Sequence, residues 1–371
     1  MRVFTTLPMT DWREAGPAAR AAEDIGFDVL RTAELGHEVF IPLAFAALAT
    51  ERVELTPSVA IAFPRSPTIT AGIAWDLQAN SRGRFVLGLG SQVKGHNERR
   101  FGIAWTPPAP RMRDYIGALR AIWRCWETRG KLDYHSDHYT LTLMTPAFSP
   151  EPTGLPMVPV TISAVGEAML RVAGQVADGV RLHPLCSRRY LLEVCLPLIA
   201  EGLARSGRAR EHLDVHGGGF VVTGPDAAAL AKAMDRVRER IAFYCSTRTY
   251  FPVLALHGWK SWGRSCTGCR SPGAGMTWPR SRMTSCGSSP PAPLTMDLPR
   301  LSHSVSVMLR TRSIWNSRLT HHPACNVSCW QTSAASRIAS LASIRPDRWN
   351  AQSAARRIAR PTVIAMCVAP I

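Results

Sequence analysis

The last third of the chain is short of acidic residues and lacks two aromatic residue types. Residues 260–371 contain no glutamate, phenylalanine or tyrosine, and only two aspartates stand against fifteen arginines and lysines. They therefore carry thirteen of the seventeen net positive charges. The first 259 residues keep a net charge of only four, which does not indicate a nucleic-acid-binding surface in that part of the chain.

Long apolar runs are also missing. The longest apolar stretch, residues 40–49, is too short to span a bilayer. No apolar segment followed by a small-residue cleavage site opens the chain, so the sequence does not indicate a secretory signal. We therefore expect a cytoplasmic protein with no membrane partner.

Composition changes abruptly near Trp259. Residues 260–371 hold eighteen serines and six of the ten cysteines, with little helical or strand periodicity. We predict two segments, residues 1–259 as the folded domain and 260–371 as a basic, largely disordered tail rich in Ser, Arg, Pro and Cys. A GC-rich gene translated in a shifted reading frame would give this composition, so we interpret the tail as out of frame. An inactive frameshifted product is therefore one alternative for function.

Strand-like and helix-like segments alternate through residues 1–259. The strand-like segments are VFTTLP, FDVLRTAE, VELTPSVAIA, RFVLGLG, PVTISA, GVRLHP and LDVHGGGFVVTG. This alternation predicts an α/β fold with parallel strands. An open doubly wound sheet is one possible architecture, but no dinucleotide-binding fingerprint follows the first strand. We favour a (β/α)8 TIM-barrel type that is incomplete, with seven strands.

The fourth predicted strand ends in Gly88-Leu89-Gly90. It has neither the Lys and Ser/Thr of a P-loop nor the third glycine of a Rossmann fingerprint, so a phosphate-binding loop of either kind is not indicated. In a barrel the loops at the carboxyl ends of the strands build the active site, and glycine lets a flat ligand approach the backbone. From the residues alone, a flat-ligand loop and a tight turn without a ligand are equally good interpretations.

Four segments carry a resemblance to a known family: DVLRTAELGHE, VELTPSVAIAFPRSP, GRFVLGLGSQVKGHNERRFG and VGEAMLRVAGQVADGV. In this order they resemble the luciferase-like monooxygenase family and, more narrowly, its coenzyme F420-dependent oxidoreductases from actinobacteria. The resemblance spans about residues 1–259. It implies hydride transfer between coenzyme F420 and a small organic substrate, in a chain that forms a homodimer as relatives commonly do. An FMN-dependent luciferase-like monooxygenase is the alternative, since the same fold serves FMN.

The resemblance implies that three loops at the carboxyl ends of the strands bind the cofactor. The matching residues are Ser58, Val59 and Ala60; Gly88, Gly90 and Ser91; and Ser163, Ala164, Val165 and Gly166. In the family the first loop is a bulge whose cis peptide presses on one face of the ring. The second lies under the ring edge and the ribityl chain. The third leads into a helix whose first amides would hold the cofactor phosphate.

Glu34 and His37 are the candidate catalytic residues. They follow the second predicted strand, where several relatives carry an Asp-His pair facing the ring. The resemblance implies that Glu34 bonds the deazaflavin or acts as a general acid–base; the alternative is a carboxylate satisfied by the backbone. His37 either contacts substrate or is a surface histidine. Gln92-Val93 stands where sugar-phosphate dehydrogenases of the family carry an acid, which argues against a sugar-phosphate substrate and leaves the proton donor unassigned.

The sequence predicts no metal site. The tail residues with metal-binding side chains are Cys266, Cys269, His321, His322, Cys325 and Cys329. Their spacing is far wider than that of a zinc finger, while the four earlier cysteines are expected to be free thiols. Nucleic-acid binding by the arginine-rich tail is a further alternative, but the tail lacks interleaved phenylalanine and tyrosine rings on which bases could stack.

Overall fold

The computed structural model describes residues 2–217, 219–224, 226–259 and 364–368. Its strands, in chain order, are β1 (Phe4–Thr6), β2 (Val29–Thr32), β3 (Glu54–Pro57), β4 (Ala60–Ile61), β5 (Leu87–Gly90), β6 (Tyr134–His135), β7 (Thr140–Leu141), β8 (Val160–Ala164), β9 (Gly179–Leu182), β10 (Asp214–His216), β11 (Phe220–Gly224) and β12 (Ile364–Val368).

The helices lie between these strands. They are α1 (Ala15–Ile25), α2 (Ile41–Ala49), α3 (Pro67–Asn80), α4 (Lys94–Arg99), α5 (Pro108–Thr128), α6 (Glu167–Val176), α7 (Arg188–Tyr190), α8 (Leu196–Arg205), α9 (Ala227–Cys245) and α10 (Phe251–Leu256). A π-helical turn, Leu191–Cys195, joins α7 to α8. Short 3-10 turns are Trp12–Glu14, Pro146–Phe148, Arg210–His212 and Arg248–Tyr250.

Parallel strands form the wall of an α/β barrel in the order of the chain. β1, β2 and β3 pair side by side, and β4, β5, β8, β9 and β10 form the next run of parallel pairs. A parallel bridge between Leu55 and Phe85 joins the two runs. Because β3 and β4 are the two halves of one strand around a bulge, the described residues supply seven wall positions. The predicted α/β barrel is therefore confirmed.

The outer face of the wall is apolar and the inner face is small or polar. Buried side chains on the outer face pack against the helices; they include Leu30, Leu55, Leu87, Leu89, Ile162 and Val180. Helix ends carry ordinary local signals. The Ser66 hydroxyl caps α3 by accepting a hydrogen bond from the Ile69 amide at 3.2 Å, and α1 ends at Gly26 with φ +100°.

Helices α6 and α8 approach each other closely at two glycines. A Cβ atom on Gly174 would lie 2.3 Å from the Ile199 carbonyl oxygen, and one on Gly202 would lie 2.1 Å from the Arg171 carbonyl oxygen. Since both obstacles are backbone atoms, only glycine permits this contact. The contact fixes α6, whose first turn follows the loop after β8.

The single seventh strand predicted over residues 213–224 is wrong in one respect. Asp214–His216 pairs in parallel with β9, as a barrel strand should. Phe220–Gly224 leaves that sheet and pairs antiparallel with Ile364–Val368. The Phe220 ring instead packs near His183, whose ring centroid is 6.2 Å away. The predicted disorder and change of reading frame concern the tail. Most of it, residues 260–363 and 369–371, lies outside the described residues.

Candidate active site

Residues from three loops meet at the carboxyl ends of the barrel strands. Val59 comes from the bulge between β3 and β4, Gly90 ends β5, and Ser163 lies near the end of β8. A Cβ atom on Gly90 would lie 2.6 Å from Val59 Cγ2 and 3.1 Å from Ser163 Oγ. The structure thus brings together one predicted cofactor-binding residue from each loop. The peptide between Ser58 and Val59 is cis, as the resemblance implies.

Gly88 lies deeper in the barrel than Gly90. A Cβ atom there would lie 2.0 Å from the Pro57 carbonyl oxygen and 3.3 Å from Arg181 Nε. Close packing between β5 and β3 therefore requires glycine at position 88 with or without a ligand. Its predicted contact with a cofactor stays a prediction.

The loop after β5 is held by a buried side chain that sequence reasoning missed. Asn97 is fully buried, and its Nδ2 donates hydrogen bonds to the carbonyl oxygens of Ser91 at 3.0 Å and Val93 at 3.2 Å. Arg100 Nη2 donates to the Leu35 carbonyl oxygen at 3.0 Å, which links this loop to the one after β2. The segment thus positions the Ser91 backbone.

The loop after β8 presents an uncapped helix start. Gly166 occupies the N-cap position of α6 with extended backbone, and no side chain accepts a hydrogen bond from the first amides there. A Cβ atom on Gly166 would meet nothing within 4 Å, so the space beside it is open. Ala164 is buried and Val165 is half-buried, while Glu167 adds one negative charge to the first turn. An anion could reach these amides, with Glu167 as the unfavourable charge of the first turn.

Glu34 is held by two groups that follow the bulge in sequence. Its Oε2 accepts from the Ile61 amide at 2.7 Å and from Arg65 Nη1 at 2.8 Å, and its Oε1 accepts from the same nitrogen at 2.9 Å. Arg65 also contacts Glu38 at 3.3 Å. These bonds give Glu34 a structural role beside Ala60 and Ile61, and its predicted role as acid–base stays untested. His37 lies on the exposed loop between β2 and α2.

His183, directly after β9, sits in a cluster of aromatic rings. The centroid of its ring lies 4.1 Å from that of Tyr244 and 4.6 Å from that of Tyr250, and its Nδ1 accepts from the Leu185 amide at 3.1 Å. Burial, with a smaller contribution from the charge of Arg240, lowers the pKa of His183 to about 3. The ring is therefore neutral at pH 7. The rings around His183 come from later in the chain, so no local pattern in the sequence indicates this cluster.

Two of the cysteines expected to be free thiols are neighbours. The Sγ atoms of Cys186 and Cys195 lie 3.8 Å apart, the first after β9 and the second at the end of the π-helical turn. Both are free in the structure, and so are Cys125 and Cys245. The pair lies close in sequence to His183, at the carboxyl end of β9.

A cavity of about 590 Å³ opens at the opposite end of the barrel. Its lining includes Pro159, Asp178 and Asp214, which stand at the amino-terminal ends of strands, together with Arg120 and Arg208. Asp178 accepts two hydrogen bonds from Arg120 Nη2, at 2.9 and 3.0 Å, so this lining is largely paired with itself. Since barrel enzymes place their chemistry at the carboxyl ends, the cavity is not the candidate active site.

Two other kinds of site, a metal centre and a membrane span, are absent from the described residues. No group of three or more His, Cys, Asp or Glu side chains there is arranged to hold a metal ion. No helix in those ranges is long and apolar enough to cross a membrane. The six tail residues considered as zinc ligands lie outside the described residues.

Comparison with known proteins assigns the family. The model of the family described as luciferase-like monooxygenase matches residues 3–276. An uncharacterised protein of Mycobacterium tuberculosis is 49% identical over 245 residues, which cover 66% of this chain and 72% of that protein. A putative coenzyme F420-dependent oxidoreductase of the same organism is 31% identical over 235 residues, covering 60% of this chain and 65% of its own length.

Solved structures show the same fold. The coenzyme F420-dependent tetrahydromethanopterin reductase of Methanopyrus kandleri superposes with a TM-score of 0.57 at 21% identity, over 72% of this chain and 78% of that one. At that identity the likeness concerns the fold alone. The parallel barrel, the meeting of three loops at its carboxyl ends and the match over residues 3–276 lead to one conclusion: the chain belongs to the luciferase-like monooxygenase family.

Proposed function

We propose that this chain is an oxidoreductase that binds coenzyme F420 at the carboxyl ends of its barrel strands and exchanges a hydride between that cofactor and a small organic substrate. Members of the family use either F420 or FMN. The F420-dependent relative at 31% identity supports the deazaflavin for this chain. When bound, the cofactor supplies the redox chemistry, and the protein supplies binding, orientation and a dry pocket.

The contact of Gly90 with Val59 and Ser163 carries the proposal. Gly90 has no side chain, so the Val59 side chain and the Ser163 hydroxyl form the surface at this point of the barrel. This surface lies between the bulge and the carboxyl ends of β5 and β8. A flat ring could lie on such a surface without meeting a Cβ atom. Ser58, Ala60 and Ser91 would complete this wall through their backbone.

The start of α6 would hold the phosphate of the cofactor. Ser163, Ala164 and Val165 lead into this helix, whose first amides have no side-chain cap. A helix start of this kind favours anions because its N–H groups are unpaired and the helix dipole is positive there. The open space beside Gly166 supports the same assignment.

Glu34 acts in this proposal through the bulge. Both of its oxygens accept hydrogen bonds, from the Ile61 amide and from Arg65, which hold the carboxylate against β4. We therefore assign Glu34 to positioning β4 and the bulge. His37, exposed on the loop after β2, remains the candidate for contact with substrate. The homodimer also stays a prediction.

A cofactor titration tests the proposal. Fluorescence titration of the purified chain with F420 and, separately, with FMN should give saturable binding of F420 and none of FMN. The Gly90→Ala variant should bind F420 roughly fivefold to a hundredfold more weakly, since its Cβ would displace Val59 and such overpacking costs about 1–3 kcal/mol. Gly72→Ala is the matched control, because a Cβ atom there meets nothing within 4 Å.

Each contrary result has a definite meaning. Binding of FMN without F420 would replace the proposal with the monooxygenase alternative. Binding of neither cofactor by a folded chain would support an inactive product. Equal affinities of the wild type and the Gly90→Ala variant would remove the site from this loop.

A further inference from the structure

Two arginines point into the barrel from opposite parts of its wall. Arg31 lies on β2 and Arg181 on β9, and their neighbours Leu30, Val180 and Leu182 belong to the core between the wall and the helices. Arg31 is in register with Thr6 on one side and Thr56 on the other. Arg181 reaches the same threonine, because its Nη2 donates to Thr56 Oγ1 at 2.8 Å. Both cations therefore border one residue of the inner face.

Arg181 is almost completely buried, with 6% of its surface exposed. Among the described residues, its guanidinium has hydroxyl groups as hydrogen-bond partners: Nε donates to Thr161 Oγ1 at 2.9 Å, and Nη1 lies 3.5 Å from Ser58 Oγ. The bare Cα of Gly88 makes room for it, since a Cβ atom there would lie 3.3 Å from Arg181 Nε. The charge is thus held directly beneath the bulge of the candidate active site.

Arg31 is half-buried, and among the described residues its hydrogen-bonding capacity is only partly used. Its Nε donates to Thr6 Oγ1 at 3.1 Å, and its guanidinium carbon lies 3.8 Å from the centre of the Phe4 ring. No hydrogen bond from its two terminal nitrogens occurs within the described part of the chain. A third cation, Arg240 on α9, is near enough to act on Arg31 and lies 5.5 Å from the Phe220 ring.

No carboxylate in the described ranges forms an ion pair with any of these three arginines. The charge of Glu54 acts favourably on Arg181, but the Glu54 carboxylate is already bonded to Arg2 at 2.7 Å. Burial is the main cause that lowers the pKa of Arg31 and of Arg181 to about 10, and the two charges also repel each other. Both remain protonated at pH 7. A buried cation without a counter-charge is costly unless an anion joins it.

We propose that the barrel interior beneath the bulge binds an oxyanion, a carboxylate or phosphate group, between Arg31 and Arg181, with Arg240 closing over it. The planar guanidinium fork matches either group through paired hydrogen bonds. The ligand is then a small anionic molecule whose charged end enters the barrel. The assignment of this anionic molecule as the substrate rests on the proposed function. The binding of an anion between the two arginines does not depend on that function.

The first experiment uses the purified full-length chain without cofactor. Sodium phosphate and sodium acetate are titrated at constant ionic strength, balanced with sodium chloride, and binding is followed by calorimetry and by thermal unfolding. Saturable binding of phosphate or acetate, with a rise in unfolding temperature beyond that of chloride, is expected. An effect no larger than that of chloride overturns the proposal.

Variants localise the binding. Arg31→Met should weaken anion binding roughly tenfold to a hundredfold, as expected when one charged hydrogen-bonding partner is removed. Arg20→Met, at an exposed position of α1, is the matched control and should bind as the wild type does. Because Arg181→Met removes a buried group, Arg181→Lys is included; it keeps the charge but loses the fork, and should also bind more weakly. Wild-type affinity in Arg31→Met and Arg181→Lys overturns the assignment.

A last arm separates substrate from cofactor. The titration is repeated with the chain saturated in F420, whose own phosphate we place at the start of α6. Retained phosphate affinity supports a separate substrate subsite, and loss of it would show that the arginines hold the cofactor phosphate instead. If F420 does not bind at all, the proposed function fails while the titration of the free chain still decides anion binding.

Discussion

Replacement of Glu34 by glutamine distinguishes a structural carboxylate from a catalytic one. The Glu34 side chain is 9% exposed and that of its partner Arg65 is 19% exposed, so water screens their interaction little. Glutamine has nearly the same shape, but it lacks the charge and turns one acceptor into a donor facing the Ile61 amide or Arg65. Hydrogen bonds to charged groups contribute about 1.5–3 kcal/mol each. Because Arg65 keeps a second contact with Glu38, we expect Glu34→Gln to lower the free energy of unfolding by about 2–3 kcal/mol.

Urea unfolding followed by circular dichroism measures this loss as a lower midpoint at unchanged slope. A cycle with Arg65→Met and the double variant should give a coupling free energy of about 1–2 kcal/mol. Glu51→Gln serves as control, since Glu51 pairs with Arg82 at 3.2 Å on an open surface where such pairs contribute about 0–1 kcal/mol. Wild-type stability in Glu34→Gln would refute the structural assignment and restore Glu34 as the leading acid–base candidate.

Three further predictions concern other parts of the chain. Diamide, which accepts two electrons and two protons, should oxidise Cys186 and Cys195 to a disulfide with a mass loss of about 2 Da. The Cys195→Ser variant should not show this mass loss, and its persistence would assign the loss to other thiols. The folded-state pKa of His183, about 3, lies below the unfolded value of about 6.5, so its neutral ring stabilises the fold above pH 6.5 and that contribution is lost as pH falls towards 3. His183→Gln should flatten this part of the unfolding profile, and an unchanged acid dependence would count against the burial of the ring. Resequencing the codons for residues 257–264 should reveal a single-base shift, while an intact frame would make the basic tail genuine.

The strands were predictable because their signal is local. Each predicted strand is a short segment next to a helical one. Six of the seven wall positions lie within the segments that the sequence predicts as strands, and one of those segments, VELTPSVAIA, holds both β3 and β4. The seventh could not be predicted in full. Residues 213–224 form one continuous β-like run, and only tertiary pairing divides it into a barrel strand and β11. The bulge at Ser58-Val59 was accessible through resemblance, since nothing in those two side chains alone indicates a cis peptide.

The arginine pair escaped sequence reasoning for a different reason. Barrel strands are buried on both faces. A segment such as GVRLHP therefore lacks the alternation of apolar and polar residues that shows, in a half-exposed sheet, which side chains face the core. An arginine there could face the helices or the barrel axis. The hydroxyl groups that accept hydrogen bonds from Arg181 belong to Thr56 on β3 and Thr161 on β8. In sequence they lie 125 and 20 residues away from Arg181. The polar inner face is therefore a property of the assembled barrel.

The part of the site that depends on the tail can be separated from the part that does not. The rings of Tyr244 and Tyr250, which surround His183, and the loops of the bulge and of β5 and β8 all belong to the first 259 residues. In contrast, the antiparallel partner of β11 is β12, from the end of the tail. A change of reading frame would replace β12 and leave the edge of β11 without this partner. The loops that meet at Gly90 contain no tail residue, so their own sequence is the same in either reading frame.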